Sequence, residues 1–231
     1  MSTSAREHPG LQVVRVFCLP DGSGGNPLGV FLDGGAIPEA ERQPISHELG
    51  FSETVFVDDR ERGEMRIFTP RAELALAGHP LVGTAWLMRH EGQAVELLHP
   101  PAGEIQVRFD GEMPYVAARP EWGPPWRFHE LGSPAEVDDL VPREAGEDVY
   151  WAWLDAEAGL IRARAFAVDD GIPEDPATGS AALQLTAALA RPIEIRQGPG
   201  AVLYATPLDD GRAEVGGRVV LDNDAEPPAA P

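Results

Sequence analysis

The stretch that decides the fold runs from Met65 to His90: MRIFTPRAELALAGHPLVGTAWLMRH. Its opening reads as a short strand, Met65–Thr69, ended by Pro70. Gly78-His79-Pro80 then leads into Leu81–Met88, where apolar residues occupy nearly every side of a helical turn. A helix without a polar face is a buried helix. Proline is favoured at the first helical position, where its missing N–H costs nothing, so His79 is expected at or beside the N-cap. The same pattern returns at Asp175-Pro-Ala-Thr-Gly-Ser180, which runs into the small apolar residues Ala181–Ala190. Two such helices among many short strands predict an α+β protein. Its expected plan is two similar lobes, each a barrel-like curved sheet around a central buried helix. The lobes are placed at 11–111 and 112–222, with flexible tails at 1–10 and 223–231.

Outward from these helices, Val13–Leu19 and Leu28–Leu32 read as strands joined by the glycine-rich turn Asp21–Pro27. Pro44–Leu49 reads as a short helix closed by Gly50, the usual residue after a helix C-terminus. In Phe51–Val57, strand alternation places Phe51, Glu53, Val55 and Val57 on one face. Glu53 then points the way of apolar residues, and burial favours a neutral carboxyl with a raised pKa. Such a group suits proton transfer in both directions; a buried structural Glu paired with Arg66 fits the pattern equally. Further on, Ser133-Pro-Ala-Glu136 has the form of a capping box. Val149–Leu154 and Leu160–Val168 read as a hairpin with Trp151 and Trp153 packed on one face and Arg162 and Arg164 solvated. Asp169, Asp170, Glu174 and Asp175 cluster without the alternating ligand spacing and closing Glu of a calcium loop, so no metal is expected.

The chain of 231 residues carries 38 acidic and 18 basic residues, all the basic ones arginine, for a net charge of −20. Without lysine there is no Schiff-base chemistry in this chain. Nucleic acid and anionic membranes call for a basic footprint, which this balance opposes. One cysteine, Cys18, allows no intrachain disulfide. No apolar run approaches the roughly 20 residues of a membrane helix, and the N-terminus lacks a signal-peptide core. The expectation is a cytoplasmic protein.

Glu53, His79, Asp175 and Ser180 are the candidates for chemistry. Ser180 follows the glycine of Thr-Gly-Ser-Ala at a helix start instead of sitting on a G-x-S-x-G elbow, so it reads as a capping or substrate-holding residue and a serine hydrolase is disfavoured. The positive end of a helix disfavours a charged His79, leaving a neutral hydrogen-bond partner or a structural cap. Asp175 alone reads equally as a cap for the turn before its helix. Gly78 and Gly179 start the two helices with N–H groups that lack intrahelical partners, a setting for an anion.

At these residues the chain resembles the phenazine-biosynthesis isomerase-like (PhzF) family, which shares its fold with diaminopimelate epimerase. The resemblance lies in Gly-Asn-Pro-Leu-Gly-Val (25–30), Ser-Glu-Thr-Val-Phe-Val (52–57), the stretch 66–85, Glu-Asp-Pro-Ala-Thr-Gly-Ser-Ala-Ala (174–182) and Gly-Gly-Arg-Val-Val near the end. It implies an active site in a cleft between two lobes, with Glu53 as the catalytic acid/base and His79, Asp175 and Ser180 around it. Gly78 and Gly179 would lend backbone N–H groups to a substrate anion. It also implies a cofactor-independent isomerisation of a small carboxylate-bearing metabolite by proton removal and return, in a homodimer. The alternative is a non-catalytic metabolite-binding or interaction protein that keeps the fold; the presence of Glu53 favours the enzyme. The chain departs from the family pattern at Glu-Leu-Ala-Leu-Ala-Gly-His-Pro (73–80), at Arg-Gln-Gly-Pro-Gly (196–200) and in a shorter second half, so the substrate does not carry over. The epimerase relatives use two cysteines as acid and base, a chemistry that one cysteine excludes.

Overall fold

The structure, a computed structural model, describes residues 8–141 and 143–222. Residues 1–7 and 223–231 of the expected tails lie outside the described residues. Residues 8–10 form a turn in which Leu11 N–H donates to the His8 carbonyl, and the His8 ring meets the edge of Phe31.

In chain order the strands are β1 (Leu11–Val16), β2 (Asn26–Phe31), β3 (Thr54–Asp59), β4 (Glu64–Phe68), β5 (Glu73–Leu74), β6 (Leu97–Leu98), β7 (Ile105–Asp110) and β8 (Met113–Ala118). They continue with β9 (Arg127–Glu130), β10 (Glu147–Asp155), β11 (Leu160–Ala167), β12 (Ile172–Asp175), β13 (Ile193–Gln197), β14 (Ala201–Pro207), β15 (Ala213–Gly216) and β16 (Val219–Leu221). The helices are α1 (Glu39–Leu49), α2 (Gly78–His90), α3 (Pro134–Asp138) and α4 (Gly179–Leu189).

Two sheets result. A six-stranded sheet has the order β16-β1-β2-β3-β4-β5; a ten-stranded one has β6-β7-β8-β15-β14-β13-β11-β10-β9, with β12 on β11. The expected lobe boundary at 111/112 falls in the turn between β7 and β8, which pair with each other. The last strand, β16, returns to pair with β1. One face of the six-stranded sheet packs on α2 and the other carries Phe31, Phe56 and Phe68, covered by Leu49 and Ile45 of α1. Helix α2 touches β1, β2, β3, β8 and β16, and α4 touches β14 and β15. The helices themselves meet. Gly83 shows how closely α2 sits: a Cβ there would lie 2.6 Å from Leu28 and 2.7 Å from Val16.

Several local expectations shift, each for a physical reason. β1 ends at Val16 because Phe17 takes a left-handed φ of +64°, so Cys18 lies beyond the strand. It is buried there, with its thiol donating to the Arg15 carbonyl. Helix α1 begins at Glu39 and not at Pro44, which falls mid-helix. The acceptor that loses its N–H donor, Ala40, is exposed to solvent. Phe51 does not share a face with Val55 and Val57; it joins Phe31, Phe56 and Phe68 beneath α1, while the two valines enter the main core. Arg162 and Arg164 are bound in place instead of solvated: Arg162 to Asp138 and to three carbonyls, Arg164 bidentate to Glu174. Trp151 and Trp153 do pack edge to face, 5.3 Å apart. Ser133 caps α3, its hydroxyl accepting from the Glu136 N–H. Among the described residues no helix is long and apolar enough to cross a membrane.

Candidate active site

The two buried helices begin back to back. A Cβ on Gly78 would lie 2.6 Å from the Gly179 Cα, and one on Gly179 would lie 2.7 Å from the Gly78 Cα. Neither glycine has a positive φ, so contact between the backbones is what requires them. No side chain caps either start: the N-cap of α2 is Ala77, and Thr178 before α4 makes no capping bond. Gly78 is the first residue of α2, His79 the second and Pro80 the third. The proline therefore removes an N–H that would have had no intrahelical partner. Two positive helix ends meet at one place, on a chain of net charge −20.

Glu53 stands immediately before β3, whose first residue is locked between β2 and β4 by the pairs Thr54–Gly29 and Thr54–Phe68. That register turns Glu53 inward to 6 % exposure. Its Oε2 lies 3.3 Å from Nδ1 of His79, itself 2 % exposed. The expected alternative partner is elsewhere: Arg66 pairs with Glu73 and Glu39. Burial, reinforced by the charges of Asp175 and Asp170, pushes the Glu53 carboxyl well above the usual range. Burial pushes His79 down to about 3. Although the contact has the spacing of an ion pair, both shifts favour the uncharged forms. Glu53 Oε2 and His79 Nε2 are both buried without a hydrogen-bond partner. Leaving such a group unsatisfied costs about 1–3 kcal/mol, and two together mark a place shaped for a polar ligand.

Asp175, at the end of β12, is 4 % exposed. Its Oδ1 accepts from Asn26 Nδ2 at 2.7 Å and from the Ala177 N–H at 3.3 Å; its Oδ2 accepts from the Thr178 hydroxyl at 2.7 Å. Burial raises its pKa to about 6 against the pull of these donors. Gln197 completes the bracket, donating to the Asp175 carbonyl and the Thr178 hydroxyl and accepting from the Thr178 N–H. Ser180, second in α4, is buried; its Oγ accepts from the Trp126 indole N–H at 3.0 Å. That leaves the hydroxyl proton free to donate. Glu53, Gly78, His79, Asp175, Gly179 and Ser180 thus line one cavity, together with Trp126 and Asp170. Its volume is about 20 Å³, room for roughly one water. Among the described residues no cluster of three metal-ligating side chains occurs.

The sequence offers Asn26 and Gln197 only as members of motifs and Asp170 only as one of an acidic cluster, and assigns none of these or Trp126 to the site. Asn26 and Asp175 are 149 positions apart, and no local pattern connects them. Trp126 closes a proline-rich run and opens the strand-like stretch 126–131; its donor N–H was the one available signal, since buried indoles seek a partner.

Residues 16–114 match the family described as phenazine biosynthesis-like protein. Trans-2,3-dihydro-3-hydroxyanthranilate isomerase of Pseudomonas fluorescens is 32 % identical over 223 residues, covering 75 % of this chain and 80 % of the relative. The crystal structure of a PhzC/PhzF protein from Clostridium difficile has a TM-score of 0.77 at 22 % identity, covering 92 % of this chain and 96 % of its own. A hydroxyproline epimerase from Agrobacterium vitis has a TM-score of 0.60 at 11 % identity, covering 92 % and 90 %. These two likenesses are of fold. The relative, the matched segment and the shared α+β fold lead to one conclusion: the chain belongs to the phenazine biosynthesis-like (PhzF) family of isomerases.

Proposed function

We propose that this protein is a cofactor-independent isomerase that shifts a proton on a small carboxylate-bearing metabolite, with Glu53 taking the proton and returning it. The observation that carries this reading is the pair of buried, unpartnered polar atoms, Glu53 Oε2 and His79 Nε2, beside two abutting helix starts. The substrate carboxylate takes the N–H groups at Gly78–His79 and Gly179–Ser180, with the Ser180 hydroxyl as a further donor. Ionised Glu53 removes a proton from carbon. The charge that develops spreads into the carboxylate, where the fixed N–H dipoles stabilise it. Glu53, now an acid, delivers the proton to a second carbon. The neutral His79 offers Nε2 to the substrate as a hydrogen-bond partner. Asp175 spends both oxygens on Asn26, Ala177 and Thr178; it holds the start of α4 and strengthens Glu53 as a base through its charge. The relative from Pseudomonas fluorescens is named for an anthranilate, itself a carboxylate. The working unit is a homodimer.

The test is hydrogen exchange by NMR in heavy water, using trans-2,3-dihydro-3-hydroxyanthranilate and a panel of small unsaturated cyclic acids. Wild type is expected to exchange a carbon-bound proton in at least one. Glu53→Gln keeps the shape, loses the proton and should slow exchange by about 10²–10⁴-fold. Exchange by that variant at the wild-type rate would overturn the assignment of Glu53.

A further inference from the structure

One carboxyl group outside the mechanism is held away from water with nothing to bond it. Glu147 opens β10, where it pairs with Ala167 at the end of β11. Its Oε1 and Oε2 are both buried without a hydrogen-bond partner. Beside them runs the turn 168–171, which joins β11 to β12 and brings Asp170 to the cavity wall, flanked there by Ala167 and Ile172. Burial and the charges of Asp170 and Asp169 push the Glu147 carboxyl up to about 7. The N–H groups of Asp169 and Asp170 oppose that shift, but the Asp170 N–H is spent on the Ala167 carbonyl. Among the described residues no cation is bonded to Glu147 or Asp170. Arg71, in the turn after β4, is felt at Asp170, yet its Nη1 donates to the carbonyls of Val168 and Asp169. Arg127 and His129 of β9 are bonded to Asp148, the next residue along β10. Arg143, before β10, lies over the ring of Tyr150. On the β10 side the turn is tied by two bonds to Gly146: the Val168 N–H donates to the Gly146 carbonyl, and the Gly146 N–H to Asp169 Oδ1.

We propose that Glu147 is a proton-controlled latch on the turn 168–171: protonated, it keeps the turn against β10 and the cavity shut; ionised, it drives the turn away and lets the cavity open. A protonated Glu147 carries an O–H that can donate to a neighbouring carboxylate, a charge-assisted bond of the strong kind. An ionised Glu147 adds a third negative charge beside Asp169 and Asp170, in a setting where water screens poorly. When the turn swings out, Glu147 meets water and returns toward its ordinary value of 4.5. The closed form therefore binds more protons than the open one. Opening should grow as the pH rises from 4.5 through about 7 and level off above. Glu53 needs a high pH to act as a base, so the latch would release in the range where the site can work. The device is a property of the chain alone and holds whichever metabolite is bound.

The test is amide hydrogen exchange of the full chain, without ligand, at about pH 5.5 and about pH 8.5, expressed as protection factors so that the intrinsic pH dependence of exchange is removed. In wild type the protection of 168–171 should fall about tenfold between the two, as for one pKa unit of difference between closed and open forms. The amides of β2 and β14 serve as the reference for larger openings. Glu147→Gln keeps the shape and a donor but cannot ionise, and Glu147→Leu removes the charge altogether; in each the fall should vanish. His129→Gln, which removes the imidazole bonded to Asp148, should keep it. Protection of 168–171 that does not change with pH in wild type overturns the proposal. So does a fall that only follows the reference strands, or one that survives in whichever Glu147 variant folds.

Discussion

At the scale of single residues, the site is governed by what burial does to charge. A buried carboxyl resists ionisation and a buried imidazole resists protonation, and Glu53 and His79 show the two effects side by side. For Glu53 the sign follows from its role. A base must be ionised, so kcat/KM on a validated substrate should rise with pH through a value well above the ordinary carboxylate range. A profile already flat above pH 5 would contradict the raised pKa. For His79 the consequence is one of stability. Its folded pKa of about 3 lies below the unfolded value of 6.5, so the folded state binds fewer protons. The stability that follows is complete above pH 6.5 and is lost as the pH falls toward 3. Between pH 7 and pH 5 this loss is about 2 kcal/mol. Urea unfolding at both values should show wild type losing about that much more than His79→Gln, which cannot titrate; equal losses would mean that His79 is not held neutral. The inward turn of Glu53 was legible from its place in an apolar strand pattern. Its partner was not, because alternation says which way a side chain faces and nothing about what it meets, and Arg66 fitted the pattern as well as His79.

At the scale of elements, the two helix starts are what the sequence showed best. Gly-His-Pro and Thr-Gly-Ser before apolar runs signal a buried helix start from a few adjacent residues, and α2 and α4 begin at those glycines. That the starts touch is a property of the sheets that carry them, and no local pattern contains it. The contact makes a sharp prediction. Alanine is the better helix former by roughly 1 kcal/mol, so Gly78→Ala would stabilise a free-standing helix. Here its Cβ would lie 2.6 Å from backbone of Gly179 that cannot turn aside, and overpacking of this kind costs about 1–3 kcal/mol. Chemical denaturation should show net destabilisation, and Gly179→Ala should behave alike; a gain in stability from either would mean that the helix ends are not in contact. Elements were misjudged where a residue broke its usual rule. Pro44 lies within α1, where proline normally opens a helix, and Phe17 takes a left-handed conformation that ends β1 early. The paired acids of Arg162 and Arg164 are Asp138 of α3 and Glu174 of β12; both belong to other elements, so solvation was the only reading a strand pattern could support.

At the scale of the whole molecule, charge and closure set the behaviour. Each chain carries −20, so two copies repel. A homodimer should tighten as salt screens that repulsion, with light scattering approaching twice 24.8 kDa; a mass of one chain at every ionic strength would remove the dimer. Closure matters more for turnover. A cavity of about 20 Å³ cannot hold a metabolite, so the molecule must open to admit one. Outside it lies a groove of about 370 Å³ lined by Ser52, Pro70, Gly171 and Ile172. Ile172 also lines the cavity, and Ser52, Pro70 and Gly171 adjoin the cavity residues Glu53, Thr69 and Asp170 in sequence. If the groove is the entrance, it should be gated by the turns that flank it. Beside it Arg71, in the turn after β4, donates to the carbonyls of Val168 and Asp169 in the turn after β11. These bonds join the six-stranded sheet to the ten-stranded one and are exposed, so each contributes little, as a clasp that must release should. Arg71→Ala should leave global stability within about 0.5 kcal/mol yet raise the population of the open form. Amide hydrogen exchange at 71–72 and 168–171 should then quicken by about two- to fivefold, with the strands of both cores unchanged. If exchange in these two segments is the same in wild type and Arg71→Ala, the clasp does not control entry.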